Sequence, residues 1–368
     1  IHGGSLVSGS GGDPLYDGNA LAKRGMIVVS VNYRLGMFGW FAHPELSAES
    51  PDHLSGNYGL LDQIAALEWV KRNIGAFGGD AKNVTIAGES AGALSVIYLM
   101  AAPQARGLFA KAIAQSAYMI SAPGLRERLN GMVPAEEQGV ALAEKLGAAD
   151  LAALRALSAE DIASKPPTVG YFPFPAVDGQ VVPRQLVETF DRGEQAAVPI
   201  LAGFNSGEIR SLRFLLPKPP ADAAAYEKTI RARYGEFAEA FLARYPAKDV
   251  EDSMLAATRD AMYGWTAERL VSDQAALGQP SFFYIFDHGY PAMEQWGLHG
   301  FHAAELPYVF GTAGKTPPLW PKIPDALAER ELSQAMGDYW ASFARNAKPK
   351  ARGAPDWPDY ADDRGFVH

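Results

Sequence analysis

The chain has 368 residues, a formal charge of −9 at pH 7 and no cysteine. With no block of like charges, this acidic balance argues against a nucleic-acid or anionic-membrane partner. The missing cysteine excludes disulfides, thiolate metal sites and a cysteine nucleophile, while 7 Trp, 15 Tyr and 18 Phe supply side chains for a large core and for pocket walls.

His2-Gly3-Gly4-Ser5 opens the chain, and Leu6 to Gly18 continue it as a loop rich in Gly, Ser and Asp. Such a loop can turn successive backbone N–H groups toward a developing negative charge; the competing reading is a flexible glycine-rich terminus. Met26 to Val31 is an unbroken apolar run of strand length, suited to a parallel sheet covered on both faces. Residues 36 to 59 read as loop. Leu60, Ile64, Leu67, Val70 and Ile74 recur at helical spacing, which predicts an amphipathic helix over 60–74.

Next comes the stretch around which the chain is organised. Val84-Thr85-Ile86 predicts a strand, Gly88-Glu89-Ser90-Ala91-Gly92 a tight turn, and Ala93 to Tyr98 a helix. A Gly-x-Ser-x-Gly between strand and helix fits a nucleophile elbow, in which small flanking residues let strand and helix pass closely. Ser90 then stands at the carboxyl edge of a sheet, where the free N–H groups and dipole of the helix start favour an oxyanion. Strand, helix, strand, elbow, helix is a βαβ series, and the fold class read from it is α/β with a mostly parallel central sheet.

Ala112-Ile113-Ala114 predicts a short strand, and residues 125 to 165 read as mostly helical. Pro166-Pro167 and Phe172-Pro173-Phe174-Pro175 break that pattern into an extended connection. Val198 to Gly203 predicts a strand running into Asn205-Ser206-Gly207-Glu208. Residues 221 to 277 read as helical with a break at Tyr245-Pro246, Ser281 to Phe286 as a strand, and Leu327 to Ala344 as a final helix. Length alone suggests two or three domains of about 150 residues. The chain has no internal repeat, low-complexity tract or clean linker, so 1–368 is read as a single domain with helical excursions over the sheet.

A serine nucleophile needs a base in hydrogen-bond reach and an acid to orient that base. In the α/β-hydrolase order of Ser, acid, His, the histidines that remain are His288, His299, His302 and His368. His368 ends the chain, and His288 follows the last strand too closely to reach back, which leaves His299 and His302. Glu208, just past a strand end, is the candidate acid; Asp287 is a rival, and the alternative role for Glu208 is to cap a helix from Ile209.

These residues resemble the type B carboxylesterase/lipase family, the cholinesterase-like branch of the α/β-hydrolases. The resemblance rests on His2-Gly3-Gly4, Asn32-Tyr33-Arg34-Leu35-Gly36, Gly56 to Gln63, Phe77-Gly78-Gly79-Asp80, Asn83 to Gly92, Gln115-Ser116, Asp178-Gly179, Gly203 to Glu208 and His302 to Gly311. It implies an α/β-hydrolase fold and serine carboxylesterase activity, with Ser90 as nucleophile, Glu208 as acid, His302 as base and no cofactor or metal. It further implies an oxyanion hole at the N–H groups of Gly4, Ser5 and Ala91, Ser5 standing where the family more often has Gly or Ala. Arg34 and Asp62 look like the family's internal ion pair, and Glu89 like a glutamate bordering the site, tuning His302 or merely buried and hydrogen-bonded.

Family members carry several strands before His-Gly-Gly and extend further at the C-terminus, so the chain is read as part of a longer protein whose exposed sheet edges are prone to aggregate. Leu6, Tyr118 and Met119 are pocket candidates by position. Arg210 and Arg213, close to Glu208, suggest an ester with a carboxylate on its acyl group, against solvated arginines on a helix face. The alternatives kept are a branch similar to hormone-sensitive lipases, which generally uses Asp as acid, and a non-catalytic adhesion module resembling neuroligins. The expected partner is a small ester. No apolar run reaches transmembrane length, no signal peptide is recognisable, and compartment and oligomeric state stay open.

Overall fold

Four of the expected strands pair in one parallel sheet, in the order in which they occur along the chain. In the computed structural model, which describes residues 1–362, β1 is Thr85–Glu89, β2 Lys111–Gln115, β3 Ile200–Asn205 and β4 Ser281–Phe286. Glu89 lies opposite Gln115, Gln115 opposite Gly203 and Asn205 opposite Phe286. The carboxyl ends of the strands therefore line one edge. Parallel neighbours need long crossovers, and helices run in them: α2 (Ala91–Ala101) between β1 and β2, and α3 (Val250–Arg259) and α4 (Trp265–Ala276) between β3 and β4, while α1 (Tyr58–Asn73) precedes β1 and α5 (Leu327–Asn346) follows β4.

Alternate strand residues enter two separate cores, as a period of two requires. Ile86, Ala114, Ile200 and Phe204 pack with Leu94 and Ile97 of α2 and with Leu270 and Val271 of α4. On the other face, Ile113, Leu201, Phe282 and Tyr284 pack with Tyr339, Trp340 and Phe343 of α5. Each fully buried side chain of this kind contributes about 1.5–3 kcal/mol. Coverage on both faces is why these strands read as unbroken apolar runs, and all 11 residues of α2 are buried between sheet and neighbours.

Several expectations need correction. Residues 26–31 form no strand. A cavity of about 450 Å³ is lined by both Ile27 to Val31 and Thr85 to Glu89. A strand exists only when its N–H and C=O groups meet a partner, and here they do not. Residues 125–134 hold turns rather than helix. Pro166 and Pro167 lie inside the helix Ala159–Thr168, in its last turn, instead of ending it beforehand. The helical region 221–277 is interrupted not only at Tyr245-Pro246 but also by one π-helical turn, Asp260–Gly264, between α3 and α4. Arg34 and Asp62 do pair, at 2.8 Å, but their side chains are 52% and 27% exposed, so the pair is not internal.

Candidate active site

The elbow begins with two glycines that nothing else can replace. A Cβ on Gly88 would stand 2.3 Å from the Gly92 backbone, and one on Gly92 would stand 2.2 Å from the carbonyl oxygen of Ile1. With both absent, α2 starts directly off β1 and Ser90 takes φ 57°, ψ −123°. This is the sparsely populated backbone that concentrates at functional sites. The Ser90 N–H donates to the Gln115 carbonyl at 3.0 Å, which extends the ladder one residue beyond β1.

Two strands further on, the chain delivers a carboxylate at the same edge. Glu208 opens a four-residue helix, and its side chain does not cap it. Glu208 is fully buried, and its Oε1 accepts from the Asn205 N–H at 2.8 Å and the Ser116 hydroxyl at 2.5 Å. Its Oε2 takes the Nδ1 side of the His302 imidazole. The loop carrying His302 is docked onto the end of β3: Gly207 N–H donates to the Gly300 carbonyl at 2.7 Å, and Asn205 Nδ2 donates to the Phe301 carbonyl at 2.9 Å.

Two more carboxylates lie in this cluster. Glu305 is fully buried; its oxygens accept from Gln115 Nε2 at 2.8 Å and Asn205 Nδ2 at 2.6 Å. Glu89 Oε1 lies 3.2 Å from His302 Nε2 but makes no hydrogen bond. No hydrogen bond joins Nε2 to Ser90 Oγ among the described residues; such contacts are often long without substrate. Burial lifts the Glu89 carboxyl to about 8, with Glu305 and Glu208 adding to it against the pull of His302. Burial would lower the imidazole, but Glu89, Glu208 and Glu305 outweigh it and raise His302 to about 9. Glu89 and His302 therefore titrate as one coupled pair.

The opening loop packs against the elbow. A Cβ on Gly3 would meet Ser90 Cβ at 3.1 Å, and Gly4, Ser5 and Leu6 follow with φ of 103°, 54° and 62°. This left-handed run is held from behind. Tyr33 OH donates to the His2 carbonyl at 2.9 Å, its ring stacks on His2 at 4.5 Å, and Gly36 N–H donates to the Leu6 carbonyl at 2.7 Å. The N–H groups of Gly4, Ser5 and Ala91 have no acceptor among the described residues.

Ser90, Glu208 and the His302 loop thus meet at one sheet edge, with Glu89 and Leu6 beside them. Tyr118 and Met119 follow β2 by a few residues, Met119 N–H donating to Thr266 Oγ1 at 3.0 Å. Arg210 and Arg213 do not join: Arg210 pairs with Asp252 at 2.7 Å and Arg213 with Glu251, both acids of α3. His299 pairs with Glu294 at 2.8 Å, His288 with Glu329 at 2.8 Å, and Asp287 is exposed. His368 lies outside the described residues. Sequence reasoning missed Asn205, Glu305 and Tyr263 as parts of the site. An amide ending an apolar strand run is a usable signal for Asn205, and an acid three residues past His302 one for Glu305; no pattern announces the π-helical turn that carries Tyr263. Among the described residues, no group of three or more His, Asp and Glu could hold a metal ion, and no helix is long and apolar enough to cross a membrane.

Comparison with known proteins agrees with this geometry. A family model described as the carboxylesterase family matches residues 1–368. Over its whole length the chain is 34% identical to a fumonisin B1 esterase of Sphingopyxis macrogoltabida, spanning 68% of that protein. It is 35% identical to the para-nitrobenzyl esterase of Bacillus subtilis, with 99% of this chain and 73% of the relative covered. Among solved structures, a Geobacillus stearothermophilus carboxylesterase superposes with a TM-score of 0.82 at 33% identity, covering 100% of this chain and 77% of the other. The parallel sheet, with a serine and an acid at its strand ends and a histidine on a loop docked beside them, accordingly belongs to a member of the carboxylesterase family, carboxylic ester hydrolases of α/β-hydrolase fold.

Proposed function

We propose that the chain hydrolyses carboxylic esters through Ser90, His302 and Glu208 by way of an acyl-enzyme. The observation that carries this reading is the buried hydrogen bond between Glu208 and His302 Nδ1, which fixes the tautomer that leaves Nε2 free to take a proton. His302 Nε2 removes the Ser90 Oγ proton as Oγ bonds to the ester carbonyl carbon. The carbonyl oxygen becomes an oxyanion, stabilised by N–H groups of Gly4, Ser5 and Ala91, each such donor being worth about 10²–10³-fold in turnover. The bond to the alcohol then breaks, and the alcohol leaves with the proton from Nε2. Water repeats the sequence: Nε2 takes its proton, hydroxide adds to the acyl carbon, and the Ser90 bond breaks with return of the proton to Oγ. Glu208 accepts the hydrogen bond from Nδ1 and stabilises the imidazolium in both halves.

The two relatives are named for different esters, so neither name supplies the substrate here. Arg210 and Arg213 are engaged by Asp252 and Glu251 and give no support to an acyl group bearing a carboxylate. The test is steady-state hydrolysis of a 4-nitrophenyl ester by Ser90→Ala and His302→Ala. Each is expected to lose about 10⁶-fold in kcat; either variant retaining wild-type turnover would refute the assignment.

A further inference from the structure

Two phenols stand at the site with nothing to donate to. Tyr263 is only 2% exposed, and its ring lies 5.6 Å from the His302 ring. Tyr118 meets Tyr263 edge-on, with ring centroids 6.1 Å apart. Tyr263 is carried there by the π-helical turn Asp260–Gly264. Asp260 pins that turn by accepting from Tyr245 OH and Arg259 Nε, each at 2.7 Å. An isolated π turn inside a helix is rare and tends to mark a functional position, because the extra residue swings a side chain off the α-helical stripe.

Two neighbouring tyrosines are engaged, Tyr33 OH donating to the His2 carbonyl and Tyr16 OH accepting from Gly3 N–H at 3.5 Å, while Tyr284 OH is sealed from solvent without a partner among the described residues. The hydroxyls of Tyr118 and Tyr263 have no hydrogen-bond partner among the described residues. Burial holds both phenols well above their ordinary range, with Glu89 close to each and Glu208 close to Tyr263. They keep their protons at any working pH and can act as donors. Neither oxygen is sealed from solvent, so each can meet a ligand, and a ligand that displaces water from them without bringing an acceptor leaves a donor unmatched and is disfavoured. An anionic acceptor is disfavoured, because Glu89 lies close to both phenols and Glu208 to Tyr263, while Arg210 and Arg213 are paired with acids of α3.

We propose that Tyr118 and Tyr263 form a donor pair that recognises a neutral oxygen acceptor, an ether, hydroxyl or carbonyl, carried by the substrate near its scissile ester. This rests on the serine-esterase reading above and names the substrate class that reading leaves open.

The experiment uses pairs of esters of equal length, one all-alkyl and one with a methylene replaced by an ether oxygen. The oxygen sits in the acyl half in one series and in the alcohol half in the other. In at least one series, kcat/KM should favour the oxygenated member by about 10–100-fold. The preference should fall to within about twofold in Tyr118→Phe/Tyr263→Phe. No preference in either series, a preference that survives the double variant, or faster cleavage of a carboxylate-bearing ester would each overturn the proposal. Labelling of Ser90 by a fluorophosphonate runs alongside. Wild type left unlabelled refutes the serine-esterase reading and this proposal with it. Labelling lost only in the double variant makes the tyrosines mere supports for His302, which also overturns the proposal.

Discussion

Met26–Val31 and Val84–Gly88 carry nearly the same message in sequence, a β-branched apolar run of strand length, yet they end differently. The second runs into β1 (Thr85–Glu89), hydrogen-bonded to β2 along its length, with Ile86 buried on one face and Ala87 half-buried on the other. The first forms no strand, with Ile27 and Val29 45% and 40% exposed and a cavity along its side. The lesson is that apolar content states a preference for burial, while a strand is a property of two segments. The two runs also serve the site in different ways. β1 sets Glu89 and Ser90 at the sheet edge through a ladder, whereas Met26–Val31 leads to Tyr33, which reaches the opening loop by one hydrogen bond and one stacked ring.

That contrast can be tested by substitution. At the ladder-held edge, Glu208→Gln keeps shape but not charge, and turnover of a nitrophenyl ester should fall by about 10⁴-fold; a loss of less than tenfold would detach Glu208 from His302. In the frame beneath, Ile200 is fully buried. Ile200→Ala should cost about 2–5 kcal/mol in urea unfolding, while Val29→Ala in the unpaired run should stay within about 0.5 kcal/mol. Equal effects would erase the distinction between the runs. Tyr33→Phe removes the single bond to the His2 carbonyl. We expect kcat to drop by about tenfold with KM little changed, the signature of a looser oxyanion loop.

The smallest effect lies in pH. His302 is raised from 6.5 to about 9, so base activity should climb through an apparent pKa above the ordinary imidazole value. Glu89→Gln removes the largest charge raising it and should move that limb to lower pH. Stability follows the same sign. Folded His302 holds its proton more tightly than the unfolded chain, so its contribution is complete below pH 6.5 and is lost as pH rises through about 9. The Glu89 carboxyl, raised from 4.5 to about 8, also contributes stability that declines over that span. Thermal midpoints should fall from pH 6.5 to 9, and fall less in Glu89→Gln.

Much of the frame was legible in the sequence because it depends on local rules. Gly88 and Gly92 announce a close strand–helix crossing, and the helical spacing of Leu60 to Ile74 becomes α1 within two residues at its start. Glu208 was legible as a polar residue just beyond a buried strand. What escaped depends on distant partners. The engagement of Arg210 and Arg213 needs acids some forty residues away on α3, and whether residues 26–31 form a strand depends on a pairing partner that their own composition does not reveal. Pro166 and Pro167 read as breakers, yet a last helical turn tolerates them because the helix stops at Thr168. The placement of Tyr263 needs one extra residue in a turn, which leaves no periodic trace.

The most direct test of the central claim, that two strand ends and one docked loop assemble one nucleophile, is covalent labelling by a fluorophosphonate with peptide mass mapping, in wild type, His302→Ala and Glu208→Gln. The account predicts phosphonylation confined to Ser90, abolished in His302→Ala and strongly slowed in Glu208→Gln. Labelling at another residue, or at Ser90 with equal rates in all three proteins, would contradict it.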